Sequence, residues 1–163
     1  VLSEGRGTTR PFEMIGAPFL EWTALQKIKR DFEKLTDPLL SVNYVLRPLQ
    51  FIPTFHKYAS ELCSGFQVHL SHVKANHSLL SSLILLRIFH EYIPNLWREG
   101  AYEKGNPRTA LEILVGDEIL IDFVQGKEEL KTTMDYLEDA ENKWIQSVQA
   151  IANEQLFSVQ FSC

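Results

Sequence analysis

Apolar residues recur along this chain with two different periods, and the periods separate helical stretches from extended ones. Trp22, Leu25, Ile28, Phe32 and Leu35 return every third or fourth residue, which places them on one side of an amphipathic α-helix. Thr23 and Gln26 fit a capping box at its start, and Asp37-Pro38 fits a stop, since proline has no amide hydrogen for the helix ladder. Leu79 to Tyr92 is apolar nearly all round, the composition of a buried helix, with Pro94 to end it. Asn106 and Pro107 suit the N-cap and first turn of a short helix through Val115 closed by Gly116, and Asp117 suits the cap of another that ends near Gly126. Leu130, Met134, Leu137, Trp144, Val148 and Ile151 keep a four-three spacing broken only at Glu141, which predicts a long helix with one apolar seam. With only about three heptads, packing on the domain core is favoured over a coiled-coil partner site.

The extended segments are fewer. Val42 to Ile52 is β-rich, and Pro48 within it implies an edge strand or a bulge because it cannot donate to a ladder. Phe66, Val68 and Leu70 alternate with Gln67 and His69, so a strand here buries one set and turns Gln67 and His69 together toward a second surface. Residues 1–18, with Gly5, Gly7, Gly16, Pro11 and Pro18 among Thr, Arg and Glu, read as an ordered loop. Few strands and several helices predict an α/β fold: a small mixed sheet covered by helices, in one compact domain over residues 1–163.

Composition narrows the function classes. At 163 residues and 45% apolar the chain can bury a sizeable core. Its net charge of -5 comes with no basic stripe, so nucleic acid and anionic membrane are not expected partners. The stretch Leu79 to Phe89 is interrupted by Ser81, Ser82 and Arg87 and is far shorter than the roughly 20 residues a bilayer requires, so no membrane span is expected. Cys63 and Cys163 cannot make a disulfide framework and do not report a compartment. The opening Val1-Leu2-Ser3-Glu4 has no initiator Met, basic n-region or apolar h-region, and the chain is expected to be a piece of something longer.

Among residues that could carry chemistry, His69, His72 and His77 have a spacing that invites a metal, but no Cys or Asp nearby completes a four-ligand set, so neither metal nor cofactor is expected. His90-Glu91 reads as the polar edge of its helix. Cys63 lacks any activating motif and reads as a small core residue. The segment Gly5 to Glu13 is different in kind, joining flexible backbone, the hydroxyls of Thr8 and Thr9, the guanidinium groups of Arg6 and Arg10, and a carboxylate. Amides beside Gly5 and Gly7 can approach a ligand closely, and an Arg fork can grip a carboxylate or ring oxygens. A polar, anionic ligand suits it; so does a plain surface loop in which Arg and Glu pair with each other.

Ser3-Glu4-Gly5-Arg6-Gly7-Thr8-Thr9-Arg10-Pro11-Phe12-Glu13, followed by Ile15-Gly16-Ala17-Pro18, closely resembles the signature of the bacterial exo-β-N-acetylmuramidases, a two-domain peptidoglycan glycosidase family formerly described as a domain of unknown function. Phe51-Ile52-Pro53-Thr54-Phe55-His56-Lys57-Tyr58-Ala59 and then Cys63-Ser64-Gly65-Phe66-Gln67-Val68-His69-Leu70 are similar to that family's Pro-Thr-Phe-x-Lys-Tyr and Cys-x-Gly-x-Gln segments, in the same order. Leu114-Val115-Gly116, Gly126 and Trp144 resemble its closing helices more loosely, and His72 stands where the pattern has an Asp.

The resemblance spans nearly the whole chain but only the C-terminal half of the family architecture. It implies removal of N-acetylmuramic acid from non-reducing glycan ends, with the main catalytic carboxylates in an N-terminal Rossmann-like domain absent from this chain and substrate between the two domains. The implied partners are therefore a peptidoglycan-derived glycan and that N-terminal domain, and the implied location is secreted or periplasmic. The isolated chain is expected to be inactive. Glu4 and Glu13 are catalytic candidates by residue type, although orienting Arg6 and Arg10 is the favoured role for them. Arg6 or Arg10 gives a physical means of recognising the lactyl carboxylate of muramic acid, with a strut role for Arg6, paired to Glu13, as the alternative. Arg6, Gly7, Thr8, Arg10 and Glu13 are expected to converge with Thr54, Lys57, Tyr58, Gln67 and His69 around one substrate-binding cleft. A non-catalytic glycan-binding or protein-interaction module is the rival reading.

Overall fold

The computed structural model describes residues 2–40, 44–70, 77–93, 95–97 and 100–160, with side chains described outside 37–40 and 152–160. The element order is β1 (Met14–Ala17), α1 (Trp22–Leu40), β2 (Tyr44–Phe51), β3 (Cys63–Leu70), α2 (Ser78–Tyr92), α3 (Ala110–Val115), α4 (Glu118–Val124) and α5 (Leu130–Gln160). The strands form a sheet in the order β1-β3-β2. The expected small sheet under several helices is present, but its pairings are antiparallel rather than mixed. Hairpin-like returns pair antiparallel, and parallel neighbours would need a crossover between them.

The ladder has a parity that determines what each face carries. Ser3 and Gly16 exchange both backbone hydrogen bonds, at 2.7 and 3.0 Å. Gly16 therefore has no polar group left for Gly65, its partner on β3, and the two form a close, non-hydrogen-bonded pair. A Cβ on Gly65 would lie 2.1 Å from the Ile15 carbonyl oxygen, and one on Gly16 would lie 2.4 Å from that of Ser64. One residue on, Phe66 directs its polar groups to β1, which leaves Pro48 opposite it in β2 with its nitrogen on the free edge. Pro48 thus costs the ladder no bond, and the edge expectation holds.

Phe66, Val68, Leu46, Ile15 and Ala17 belong to the face that meets the helices. From there the layers follow in turn: α1 on β3, α2 on α1, α4 on α2, and both α3 and α5 on α4. Leu25, Ile28 and Phe32 of α1 are buried, as are Leu80, Leu83, Ile84, Ile88 and Phe89 of α2, with the Phe89 ring 6.2 Å from that of Phe66. Arg87, which interrupts the apolar run of α2, lies 4.8 Å above the Phe123 ring and donates to the Glu128 carbonyl at 2.7 Å, tying α2 to the end of α4. Burying long apolar surfaces on both sides of α2 is what its all-round apolar composition requires.

Several boundaries differ from expectation. β1 lies where a loop was expected, because a short strand held by backbone pairing needs no alternation of its own. The Leu25 amide donates to the Glu21 carbonyl at 3.1 Å, so α1 starts before Thr23 and the Thr23–Gln26 capping box does not form. α1 also runs through Asp37-Pro38 to Leu40, since a proline in the last turn removes one bond without preventing helical dihedrals after it. The cap of α3 is Thr109, in a reciprocal box with Glu112, while Asn106 accepts from the Arg108 amide in the preceding turn. Gly116 and Asp117 occupy the expected C-cap and N-cap. In α5, Leu130, Met134 and Leu137 pack on the core, Glu141 pairs with His77 at 3.1 Å, and beyond it the seam is exposed, Trp144 by 66%. Core packing therefore accounts for the first turns of that seam only. Val42 and Asn43 lie outside the described residues.

The glycine pair yields a stability contrast. Gly65→Ala is expected to lower the unfolding free energy by about 3 kcal/mol, because the added carbon meets backbone that can move only with β1. Gly116→Ala, with open space around a φ of +74°, should lose only about 1 kcal/mol. Urea denaturation of both variants measures the difference, and equal losses would contradict the close pairing.

Candidate functional site

The Ser3–Gly16 bridge delivers the N-terminal segment along the edge of β1, and two glycines then fold it back. Gly5 and Gly7 have φ of +68° and +77°, the left-handed region that L side chains rarely adopt. At Gly7 there is a second reason for glycine: a Cβ would lie 1.7 Å from the Thr54 hydroxyl oxygen. The Thr54 amide donates to the Arg6 carbonyl at 2.9 Å, so the loop after β2 is docked on the N-terminal loop. The Thr8 hydroxyl closes the turn by donating to the Gly5 carbonyl at 2.6 Å, and the Phe12 amide returns to the Glu4 carbonyl at 2.8 Å.

This folding assembles two linked charge clusters. Glu4 accepts from Arg6 Nε at 2.5 Å through one oxygen and meets Lys57 Nζ at 3.4 Å through the other. The Arg6 guanidinium lies 5.4 Å over the Phe12 ring. Glu13 meets Arg10 at 3.3 Å and accepts from the Gln67 amide nitrogen at 3.3 Å, while the Gln67 oxygen accepts from Arg47 at 2.9 Å. Gln67 is only 6% exposed, and its two partners leave its amide a single orientation. The chain Arg47–Gln67–Glu13–Arg10 thus runs across the sheet from β2 to the N-terminal loop.

Burial pushes the Glu4 carboxyl up, but the Arg6 hydrogen bond, its own backbone amide and Lys57 outweigh it and leave the group below its ordinary value of 4.5. It is ionised at neutral pH and has no proton to give to a leaving oxygen. With Arg6, Lys57, Arg10 and Arg47 gathered around Glu4 and Glu13, the site carries an excess of positive charge suited to a further anion.

Of the expected site residues, Arg6 and Lys57 meet at Glu4, Gly7 lies against Thr54, Thr8 closes the turn after Gly5, and Arg10 and Gln67 meet at Glu13. Arg6 pairs with Glu4 rather than with Glu13, because the turn at Gly7 sends the chain away before it returns. Tyr58 departs from the group: its ring packs toward the hydrophobic core, edge-on to Phe19 at 6.3 Å. His69 lies exposed two residues beyond Gln67, opposite Val45. Arg47 was missed, since only the β2–β3 register places it opposite Gln67. Cys63 is buried, and burial together with Glu61 raises its thiol, as a structural role requires. His77 caps α2, its Nδ1 accepting from the Leu80 amide at 3.3 Å. His72 lies outside the described residues, and among those described no group of three His, Cys, Asp or Glu could hold a metal. No helix among them is long and apolar enough to cross a membrane.

The site loops and the sheet that carries them match a known family. Residues 1–152 match the model of the C-terminal domain of the exo-β-N-acetylmuramidase NamZ, and the chain belongs to that family. It is 34% identical over 118 residues to the peptidoglycan β-N-acetylmuramidase NamZ of Bacillus subtilis (strain 168), covering 68% of this chain and 27% of the relative. A crystal structure of a DUF1343 family protein from Bacteroides fragilis NCTC 9343 is similar over 80% of this chain and 29% of its own, with a TM-score of 0.48 and 18% identity. The chain thus spans about a quarter of the length of the curated relative it matches.

The depressed Glu4 carboxyl couples the site to pH. Its folded pKa lies below the unfolded value, so its contribution to stability is present above 4.5 and is lost as pH falls through the folded pKa. Glu4→Gln is expected to melt below the parent chain at about pH 7, with the gap closing as pH falls below 4.5. Melting curves across that range test it; a gap that stays constant with pH would dissociate the stabilisation from the ionised pair.

Proposed function

We propose that this chain is the cleft-completing C-terminal domain of an exo-acting β-N-acetylmuramidase, which removes N-acetylmuramic acid from the non-reducing ends of peptidoglycan fragments. In this reading its charged cluster receives the lactyl carboxylate of the sugar. The observation that carries the proposal is the surplus of guanidinium and ammonium groups over carboxylates where the two loops meet. Membership of the NamZ C-terminal family and the name of the Bacillus subtilis relative supply the reaction class.

Glycoside hydrolysis needs a proton donor and a second carboxylate. Glu4 is held ionised between two cations and Glu13 is engaged by Arg10 and Gln67, so both orient the cationic groups, and hydrolysis falls to an N-terminal domain acting as partner. A cell-wall substrate carries with it a secreted or periplasmic location. Within the cluster, Arg6 is the strut, fixed by Glu4, by Phe12 and by its own carbonyl. Arg10 is the ligand contact: its side chain is 62% exposed and its pairing to Glu13 at 3.3 Å is loose enough to exchange for a bidentate grip on a sugar carboxylate.

The test is made in a protein carrying this chain behind an N-terminal domain of the family. Arg10→Ala should lower kcat/KM on a chromogenic muramide about tenfold to hundredfold, as expected for losing a charge-assisted contact worth roughly 1.5 to 3 kcal/mol. Arg10→Lys should recover part of it, because an ammonium lacks the planar fork. The 163-residue chain alone should not turn over the substrate. Turnover by the chain alone, or unchanged kinetics for Arg10→Ala, would overturn the reading.

A further inference from the structure

Past its contact with His77 at the start of α2, the last helix leaves its own domain. Every side chain from Glu141 to Ile151 is exposed, on all sides of α5, although Leu130, Met134 and Leu137 before them pack on the core. At 1.5 Å per residue this stretch projects about 15 Å. Its pattern is not that of a helix surrounded by water. Trp144, Val148 and Ile151 recur at four- and three-residue spacing, Ile145 lies one turn from Val148, and the four are 43% to 66% exposed. Charges sort by side: Asp139 and Lys143 pair at 2.5 Å on the face opposite the seam, whereas Glu141 interrupts the seam and Glu138 borders it. A short helix draws little stability from its own hydrogen bonds and depends on packing of its apolar face. Contiguous apolar surface on a stretch that packs on nothing in its own domain marks an interaction surface.

We propose that this seam is the seat of an upstream domain of the same polypeptide, which covers Trp144, Ile145, Val148 and Ile151 with an apolar surface and meets Glu138 and Glu141 with basic side chains. The match to the family's C-terminal domain runs to residue 152, so the seam lies inside the part the family shares and is not an appendage to it. That part is 27% of the Bacillus subtilis relative, so most of such a protein lies outside this domain and is long enough to supply the covering surface. A second copy is the poorer fit, since it brings the same acidic seam. Lys143, the one cation among residues 132–163, is engaged by Asp139 on the other side. From the reading above, this assignment takes only the existence of an upstream domain.

Hydrogen exchange, followed by mass spectrometry on the two-domain protein of the preceding test and on the 163-residue chain, checks it. Amides of residues 141–151 should exchange at least about tenfold more slowly in the two-domain protein, at every protein concentration. Trp144→Ala combined with Ile151→Ala should abolish that difference and lower the melting temperature of the two-domain protein. The same pair should leave the melting temperature of the 163-residue chain unchanged, because exposed side chains have no packing to lose. Equal exchange in the two proteins, or protection untouched by the double substitution, would overturn the proposal. So would protection in the 163-residue chain alone, and protection there that grows with concentration would identify a second copy as the occupant. Exchange reads no turnover: an inactive two-domain protein, or one indifferent to Arg10→Ala, would count against the muramidase reading and leave the protection result standing.

Discussion

The contact between Gly16 and Gly65 is the constraint from which the geometry of the site follows. Because Gly16 directs both its backbone bonds outward to Ser3, it must lie against β3 as a close pair, and only two residues without side chains allow that approach. The same parity places the N-terminal segment along β1, with Glu4 and Arg6 immediately after the bridge. It also turns Gln67 to the face away from the helices, where it can reach both Glu13 and Arg47. One narrow point in a small sheet thereby decides which side of the domain is charged and which is packed.

The electrostatics of that charged side favour organisation over stability. Its ion pairs are partly or largely exposed, and exposed pairs contribute little to folding. What the arrangement does secure is direction. Gln67 is buried with both ends of its amide engaged, and Glu13 is thereby held so that Arg10 stays near the surface. Under the proposed role of Arg10, a ligand carboxylate would meet a guanidinium already oriented by Glu13, leaving less ordering to the moment of binding.

The parts of this structure governed by local rules were legible in the sequence. The 3.6-residue period of Leu25, Ile28 and Phe32 and the all-round apolar run of α2 define helices wherever they occur, and Asp117 and Gly116 act within a single turn. The alternation around Gln67 placed it correctly on a second surface. β1 was not legible, since Met14-Ile15-Gly16-Ala17 draws its order from partners on either side rather than from its own pattern. Arg47 depended on a register that no local signal encodes, and Tyr58 on a left-handed backbone that reverses its direction. The seam of α5 shows a further limit: its period is the same where Leu137 is buried and where Trp144 is exposed, because a helix repeat specifies a face and not what lies against it.

Pro48 has a consequence for the chain's dealings with other copies of itself. The outer edge of β2 is a row of backbone donors and acceptors, a natural template for a strand from a neighbouring molecule. Pro48 sits near the middle of that row with its nitrogen facing outward, so an incoming strand would find a missing donor and a ring where it needs a hydrogen bond. A residue that is silent within its own sheet thus guards the edge against intermolecular strand addition and the aggregation that begins with it.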